Sequence, residues 1–431
     1  MSLPMQSKNR ADIRQSVGYN TGDVIVGTAK STVDTSSLID TVGLARGGDD
    51  EYNGWQVIIY NSAGGSIVDG ETSIVTDFDG ATKDATCSPV FTASITSTDK
   101  YELWRPGLDI LQLNDKINQV IADITADCLK NKETHDTFTE SAKYEYSCLS
   151  NFKAVNEIEY VYSIGESVSL HACDVVWDES VDSDVTATAD TTIQKEGNGC
   201  LKLVVAAGAA ANDILATEDI TASDLSDCDE VEIWIRSSVA LNAGDIQLLL
   251  DNTALCASPV ESLNIPATTA NTWTRHVITL ANPENDTAII SVGLKMVTDK
   301  GAFTLYADYI IAVNSASRIY KHIPAEFWAI TKASTPTLKL TEKGLSLAGS
   351  NTLLRINGYQ IPTLFSDDAT NADVDPAYLI FQTTADLLAT NMAGMGLSAS
   401  DRHTRLAYYT QKAETRLRDV RTQVRQGTRW A

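Results

Sequence analysis

The block from roughly Cys173 to Val313 constrains this chain most. CLKLVVA, VEIWIRS, DIQLLLD, TWTRHVITL, AIISVGLKM and FTLYADYIIAV follow one another at near-regular spacing, separated by Asn, Asp, Gly and Pro. Short runs of this kind, rich in β-branched and aromatic residues and bounded by turn formers, predict an antiparallel jelly-roll sandwich. Alternation in VEIWIRS sets Val231, Ile233 and Ile235 on one face and Glu232, Trp234 and Arg236 on the other.

The same period of two runs through DVIVGTA, WQVIIY, SIVTDFDG and PVFTASI, with Asp79-Gly80 and Ala63-Gly64-Gly65 as loop tips, and predicts a small antiparallel β domain. At Arg105-Pro106-Gly107 the period changes. Leu113, Ile117, Val120, Ile121, Ile124 and Cys128 recur at spacings of three and four, which predicts an amphipathic helix with Pro106 near its start and Asn131 as its stop. Strands are expected in 144–163 and again in RIYKHIPAEFWAITK, TLKLTEKGLSLAG and TLLRINGYQIP. Asp375-Pro376 opens a further helix with Leu379, Thr383, Leu387 and Asn391 on one face, flanked by Ile380, Leu388 and Met392. After a break at 392–396, Leu406, Tyr409, Ala413, Leu417, Val420 and Val424 mark a last helix beginning near Ser400.

Charge and cysteine usage exclude several function classes. The formal charge of −24 sets most of the surface against phosphate, yet Ser398 to Ala431 holds eight Lys or Arg against three acids, a net +5 beside −29 for the rest. This basic tail admits three readings: a solvated helix face, a seam onto an acidic neighbour, or the lining of a DNA channel. The seven cysteines form no CxxC pair, which argues against a disulfide framework or a zinc knuckle and for folding in a reducing cytosol. No secretory signal is expected in MSLPMQSKNRADIRQ, and no apolar run approaches the ~20 residues of a membrane helix. His135, His171, His276, His322 and His403 sit without a GxSxG elbow, and GxxxxGK[ST] and HExxH are missing, so a non-enzymatic protein is expected.

Residues 110–163 and 318–427 resemble head-to-tail connector (portal adaptor) proteins of tailed phages, in LNDKINQVIADI, YKHIPAEFWAI, LLRINGYQIPTLFSDD, the turn at Asp373, Asp375 and Pro376, and the two terminal helices. The resemblance implies a virion neck protein made in the host cytoplasm. It would form a homo-oligomeric ring that bridges the portal protein and tail or fibre proteins, with DNA close by in the channel. The block from about 172 to 314 is similar to a carbohydrate-binding-module-like jelly roll, in TTIQKEGNGCLKLVV, DLSDCDEVEIWIRSS, LNAGDIQLLLDN, SLNIPATTANTWTRHVITL and GAFTLYADYIIAV. The front of the chain is similar to small decoration-like modules.

The expected fold class is therefore α+β and multidomain: an N-terminal antiparallel β domain (1–104), a mainly helical connector core split over 105–170 and 315–431, and an inserted jelly-roll β-sandwich (171–314). For contact with the portal or the next subunit the candidates are Arg416, Arg421, Arg425 and Trp430. The jelly-roll resemblance implies glycan contact and a structural calcium ion, for which Asp174, Glu196 and Asp308 match. An aromatic platform could come only from Trp177, Trp234, Trp273, Tyr306 or Tyr309; alternation sets Trp234 on the face away from Ile233 and makes it the candidate, though a second buried sheet face explains that placement equally well. The rival to the connector is a head fibre, decoration or tail-fibre protein that binds surface glycans.

Overall fold

The computed structural model describes residues 8–30, 34–63, 67–331, 336–390, 396–422 and 428–430. Strands make up 38% of the chain and helices 20%, which corrects the mainly helical core: the protein is mostly β. Besides the helix Ile110–Asp123, the stretch 105–170 holds the strands Lys130–Phe138, Glu145–Tyr146, Ala154–Ser163 and Ser167–His171. The stretch 315–431 likewise adds Ile319–His322, Trp328–Thr331, Thr337–Leu340, Leu353–Gln360 and Arg429–Trp430 to its helices. Alternating threonines, lysines and valines in these stretches satisfy their backbone across a sheet, and three-four spacing is confined to a few helices.

The chain divides into two compact units. The first comprises Met1–Lys132, Asn151–Lys153 and Tyr359–Gln426. Its six-stranded antiparallel sheet runs in the order Val24–Thr28, Lys100–Trp104, Gln56–Asn61, Glu71–Asp79, Asp84–Ser88, Ser37–Ile39. One core lies on this sheet, around Leu38, Val57, Ile59, Phe78, Phe91 and Tyr101.

Helices fill a second core in the same unit: α1 (Arg10–Thr21), α2 (Ile110–Asp123), α4 (Pro376–Ala389) and α5 (Ala399–Val420), with α3 (Glu342–Ala348) belonging to the other unit. Helix α1 escaped the periodicity reading, although a capping box announces it: Asn9 accepts from Asp12 N, and the Asp12 carboxylate accepts from Asn9 N. What hid it is Arg14, a charge on the buried face. Its guanidinium is fully buried, forked onto Glu102 at 2.7 and 2.9 Å and onto Asp368 at 2.8 and 2.9 Å, with Asn114 at 2.9 Å. Helix α2 starts later and stops sooner than expected, capped by Asp109 and ending at Asp123. Ile124 and Cys128 stay buried in the turns that follow, where Cys128 N donates to Ile124 O at 2.8 Å.

The second unit comprises Glu133–Ser150, Ala154–Gly358 and Gly427–Ala431. It contains the sandwich. One layer orders Val185–Asp190, Cys200–Val205, Phe303–Val313, Glu230–Ser237 and Thr274–Thr279, with Ser167–His171 also paired to Phe303–Val313. The other orders Ser180–Val181, Ile214–Ser223, Ile289–Met296, Ile246–Asp251 and Glu261–Asn264. Between them lies one apolar core that includes Trp177, Leu203, Ile233, Leu248, Val292 and Leu305. Two smaller sheets complete the unit. One orders Ile319–His322, Ala154–Ser163, Leu353–Gln360 and Lys130–Phe138; the other joins Trp328–Thr331, Thr337–Leu340 and Glu145–Tyr146.

Candidate functional site

The inner face of the first sandwich layer is apolar and its outer face is not. Antiparallel register sets the outer side chains in rows across the strands. Lys202 stands opposite Tyr306, and Tyr306 opposite Arg236. The next row joins Asp308, Trp234 and Arg275, and beyond it lie Ile311, Glu232 and Val277, then Val313, Glu230 and Thr279. A bulge between Glu232 and Trp234 interrupts the register on Phe303–Val313, where Tyr309 takes a φ of 46°.

The other three rows of this face are covered by other segments of the same unit. Arg318, its side chain fully buried, donates to Glu230 at 2.5 Å and to Glu232 at 2.6 Å. His135 Nε2 lies 2.8 Å from the second Glu230 oxygen, and Arg275 pairs with Glu232. The hydrogen bond to Glu230 raises the His135 pKa, while burial pulls it down less strongly. The Phe138 ring stands 6.4 Å from that of Trp234, and Arg275 lies 5.0 Å above Phe138 and 5.8 Å above Trp234. Trp234 is therefore only 2% exposed, and its indole N–H has no hydrogen-bond partner. This corrects the platform reading of Trp234 and matches the other one: its face is buried a second time, under another layer of protein.

The first row remains open. Tyr306 is partly exposed, Lys202 lies 5.8 Å and Arg236 5.3 Å from its ring centroid, and the Trp273 ring is 6.2 Å away, tilted by 57°. Trp273 is fixed by its indole N–H, which donates to Ile193 O at 2.7 Å, and Arg236 by donating Nε to Asn271 O at 3.2 Å. Asp190 lies 3.7 Å from Lys202. Two aromatic rings held apart at a fixed tilt, with a guanidinium, an ammonium and a carboxylate around them, offer apolar faces and hydrogen-bonding groups to a polyhydroxylated ligand. Sequence reasoning named Tyr306 and Trp273 among the candidates but did not join them to Lys202 and Arg236. The strand pairing does that.

Of the remaining aromatic candidates, Trp177 is wholly buried in the core and Tyr309 sits on the bulge. Asp174, Glu196 and Asp308 gather around the loop 191–199. Asp308 Oδ2 accepts from Lys195 N at 2.7 Å and Glu196 N at 3.1 Å; Asp174 Oδ1 accepts from Asn198 N and Gly199 N, both at 2.8 Å. Burial, then the charges of Asp174 and Glu196, raise the Asp308 pKa, and its Oδ1 is buried without a partner. That one oxygen fits a cation ligand. Among the described residues, however, no three His, Cys, Asp or Glu side chains are grouped so as to hold a metal, and Asp308 Oδ2 and Asp174 Oδ1 are engaged in closing the loop.

The candidates for subunit contact fall in different units. Arg416 and Arg421, on and just beyond α5, are exposed and lie 3.9 Å from Asp375 and 3.3 Å from Asp127. Arg425 lies outside the described residues. Trp430 is exposed on a two-residue strand paired to Ala154–Val155, where Arg429 stacks over Trp328 at 4.6 Å and donates to Ala325 O at 2.6 Å.

No family model and no curated protein matches the chain. Among solved structures it is similar to a family 11 carbohydrate-binding module from Clostridium thermocellum, at 10% identity over 37% of this chain and 98% of that one, with a TM-score of 0.24. A family 29 carbohydrate-binding module complexed with mannohexaose matches at 3% identity over 35% and 92%, TM-score 0.20. The cleaved adhesin domain of Lys-gingipain from Porphyromonas gingivalis matches at 14% over 34% and 98%, TM-score 0.22.

Proposed function

We propose that this protein is a non-enzymatic binding protein whose sandwich attaches to glycans through the open row of its outer sheet face. The observation that carries the reading is the juxtaposition of Tyr306 and Trp273 at 6.2 Å, flanked by Lys202 and Arg236. Each of these side chains is held by the protein before any ligand arrives, so little ordering cost falls on binding. The head-to-tail connector assignment, with its ring, portal partner and neck location, stays with the sequence signatures. In a virion the reading fits a head fibre, decoration or tail-fibre protein.

Screening the full chain against immobilised glycans tests this. Tyr306→Ala is expected to weaken binding at least about tenfold, a loss of roughly 1.4 kcal/mol, while leaving the unfolding midpoint nearly unchanged because the side chain is outside the core. A screen without a single glycan retained, or an unaffected Tyr306→Ala variant, would sink the proposal.

A further inference from the structure

Beside the open row the face drops into a cleft of about 280 Å³. One wall is the sandwich, through Trp234, Trp273 and Arg275; the other is the segment 136–148, through Asp136, Glu140 and Lys143. Its volume lies just below the ~300–1,000 Å³ of pockets that take drug-sized molecules, and the mixture of aromatic walls with a few polar groups is that of a small-ligand site. Trp273 belongs to both places. It lines the cleft and stands 6.2 Å from Tyr306, so a ligand lying on the open row reaches the cleft past Trp273 without leaving the surface.

The charges of the cleft decide what it accepts. Its two cations both have carboxylate partners: Arg275 pairs with Glu232, and Lys143 with Glu140. Asp136 accepts from Thr137 Oγ1 at 3.1 Å and keeps acceptor capacity for further donors. An anionic sugar entering here would meet two carboxylates of the lining, Asp136 and Glu140, while both cations of the lining are already engaged. Hydroxyl groups can donate to those same carboxylates while a ring face lies against the partly exposed Trp273 indole.

We infer that the cleft between 136–148 and the sandwich is a second subsite, for a neutral sugar unit of a linear glycan whose neighbouring units lie on Tyr306 and Trp273. The inference rests on the glycan reading above and deepens it: the ligand is a neutral oligosaccharide long enough to span both places.

The test is titration calorimetry of the full chain with neutral gluco- and manno-oligosaccharides from disaccharide to hexasaccharide, beside uronate oligosaccharides of equal length. Thr272 is exposed and lines the cleft, so Thr272→Trp fills it without touching the core. The wild type is expected to bind the longer neutral oligomers about tenfold tighter than the disaccharide. Thr272→Trp is expected to abolish that gain and leave disaccharide affinity unchanged. A length gain that persists in Thr272→Trp, or that uronate oligomers share, overturns the subsite while the open row stands. Failure of the wild type to bind any oligomer overturns both.

Discussion

Tyr306 and Trp234 point the same way from neighbouring strands of one sheet, two rungs of one alternation. Yet solvent reaches Tyr306, and Trp234 is sealed under Phe138 and Arg275. The difference does not come from the strands. It comes from segments outside the sandwich: Arg318 and His135, held by Glu230 and Glu232, and Phe138, which lies under Arg275 and beside Trp234. A sheet face is thus allotted twice: first by the strand's own period, which decides inside from outside, and then by whatever carries complementary charge to the outside.

Breaking the covered half should cost the most. Arg318→Ala leaves Glu230 and Glu232 buried and without their shared cation, and is expected to destabilise the protein by about 3–5 kcal/mol in denaturant unfolding. Tyr306→Ala, on the open half, should hardly move the same curve. Equal effects from the two substitutions would erase the distinction.

Histidines sharpen it further, because His276 lies on the inner side of the layer and His135 on the outer. On the inner side His276 is buried against Thr268 Oγ1 at 2.9 Å, and burial pushes its pKa down to about 4. The unfolded chain then binds the extra proton first, so stability falls as pH drops from about 6.5 towards 4, by up to roughly 3 kcal/mol. On the outer side His135 has its pKa raised by Glu230. Its contribution is complete below about pH 6.5 and fades as pH rises through the raised value; being 40% exposed it is screened and worth well under about 1 kcal/mol. Stability measured against pH should therefore show a steep acid limb that His276→Gln flattens in part, since burial lowers the His171 pKa as well, and a shallow loss on the alkaline side that His135→Gln removes. A flat acid limb in the wild type would contradict the burial of His276.

The sandwich was legible because its strands alternate and its turns carry Asn, Asp, Gly and Pro, signals that are local. Helices α4 and α5 were legible for the same reason, each starting at the cap its sequence advertises, Asp375 and Ser398. The connector core was misjudged where local signals are weak: Lys130–Phe138 reads KNKETHDTF, polar up to its last residue, and becomes a strand beside Leu353–Gln360. Trp234 shows the same limit at the site. Its face could be read from VEIWIRS, but its cover comes from Phe138, far earlier in the chain, and nothing in either segment announces the meeting. Tyr306 and Lys202 are likewise distant in sequence, and only the register joins them.

The sandwich begins and ends on neighbouring strands, with Ser167 opposite Val313 at the first rung of an antiparallel pair. This has a mechanical meaning. If a glycan tethers the outer face while the flanking chain is pulled, the load between the two ends falls on that first rung, and the hydrogen bonds of the pair break in succession instead of shearing together. The weakest element under tension is then the strand Ser167–His171, while Tyr306 lies towards the other end of Phe303–Val313, held between Lys202 and Arg236 on the flanking strands.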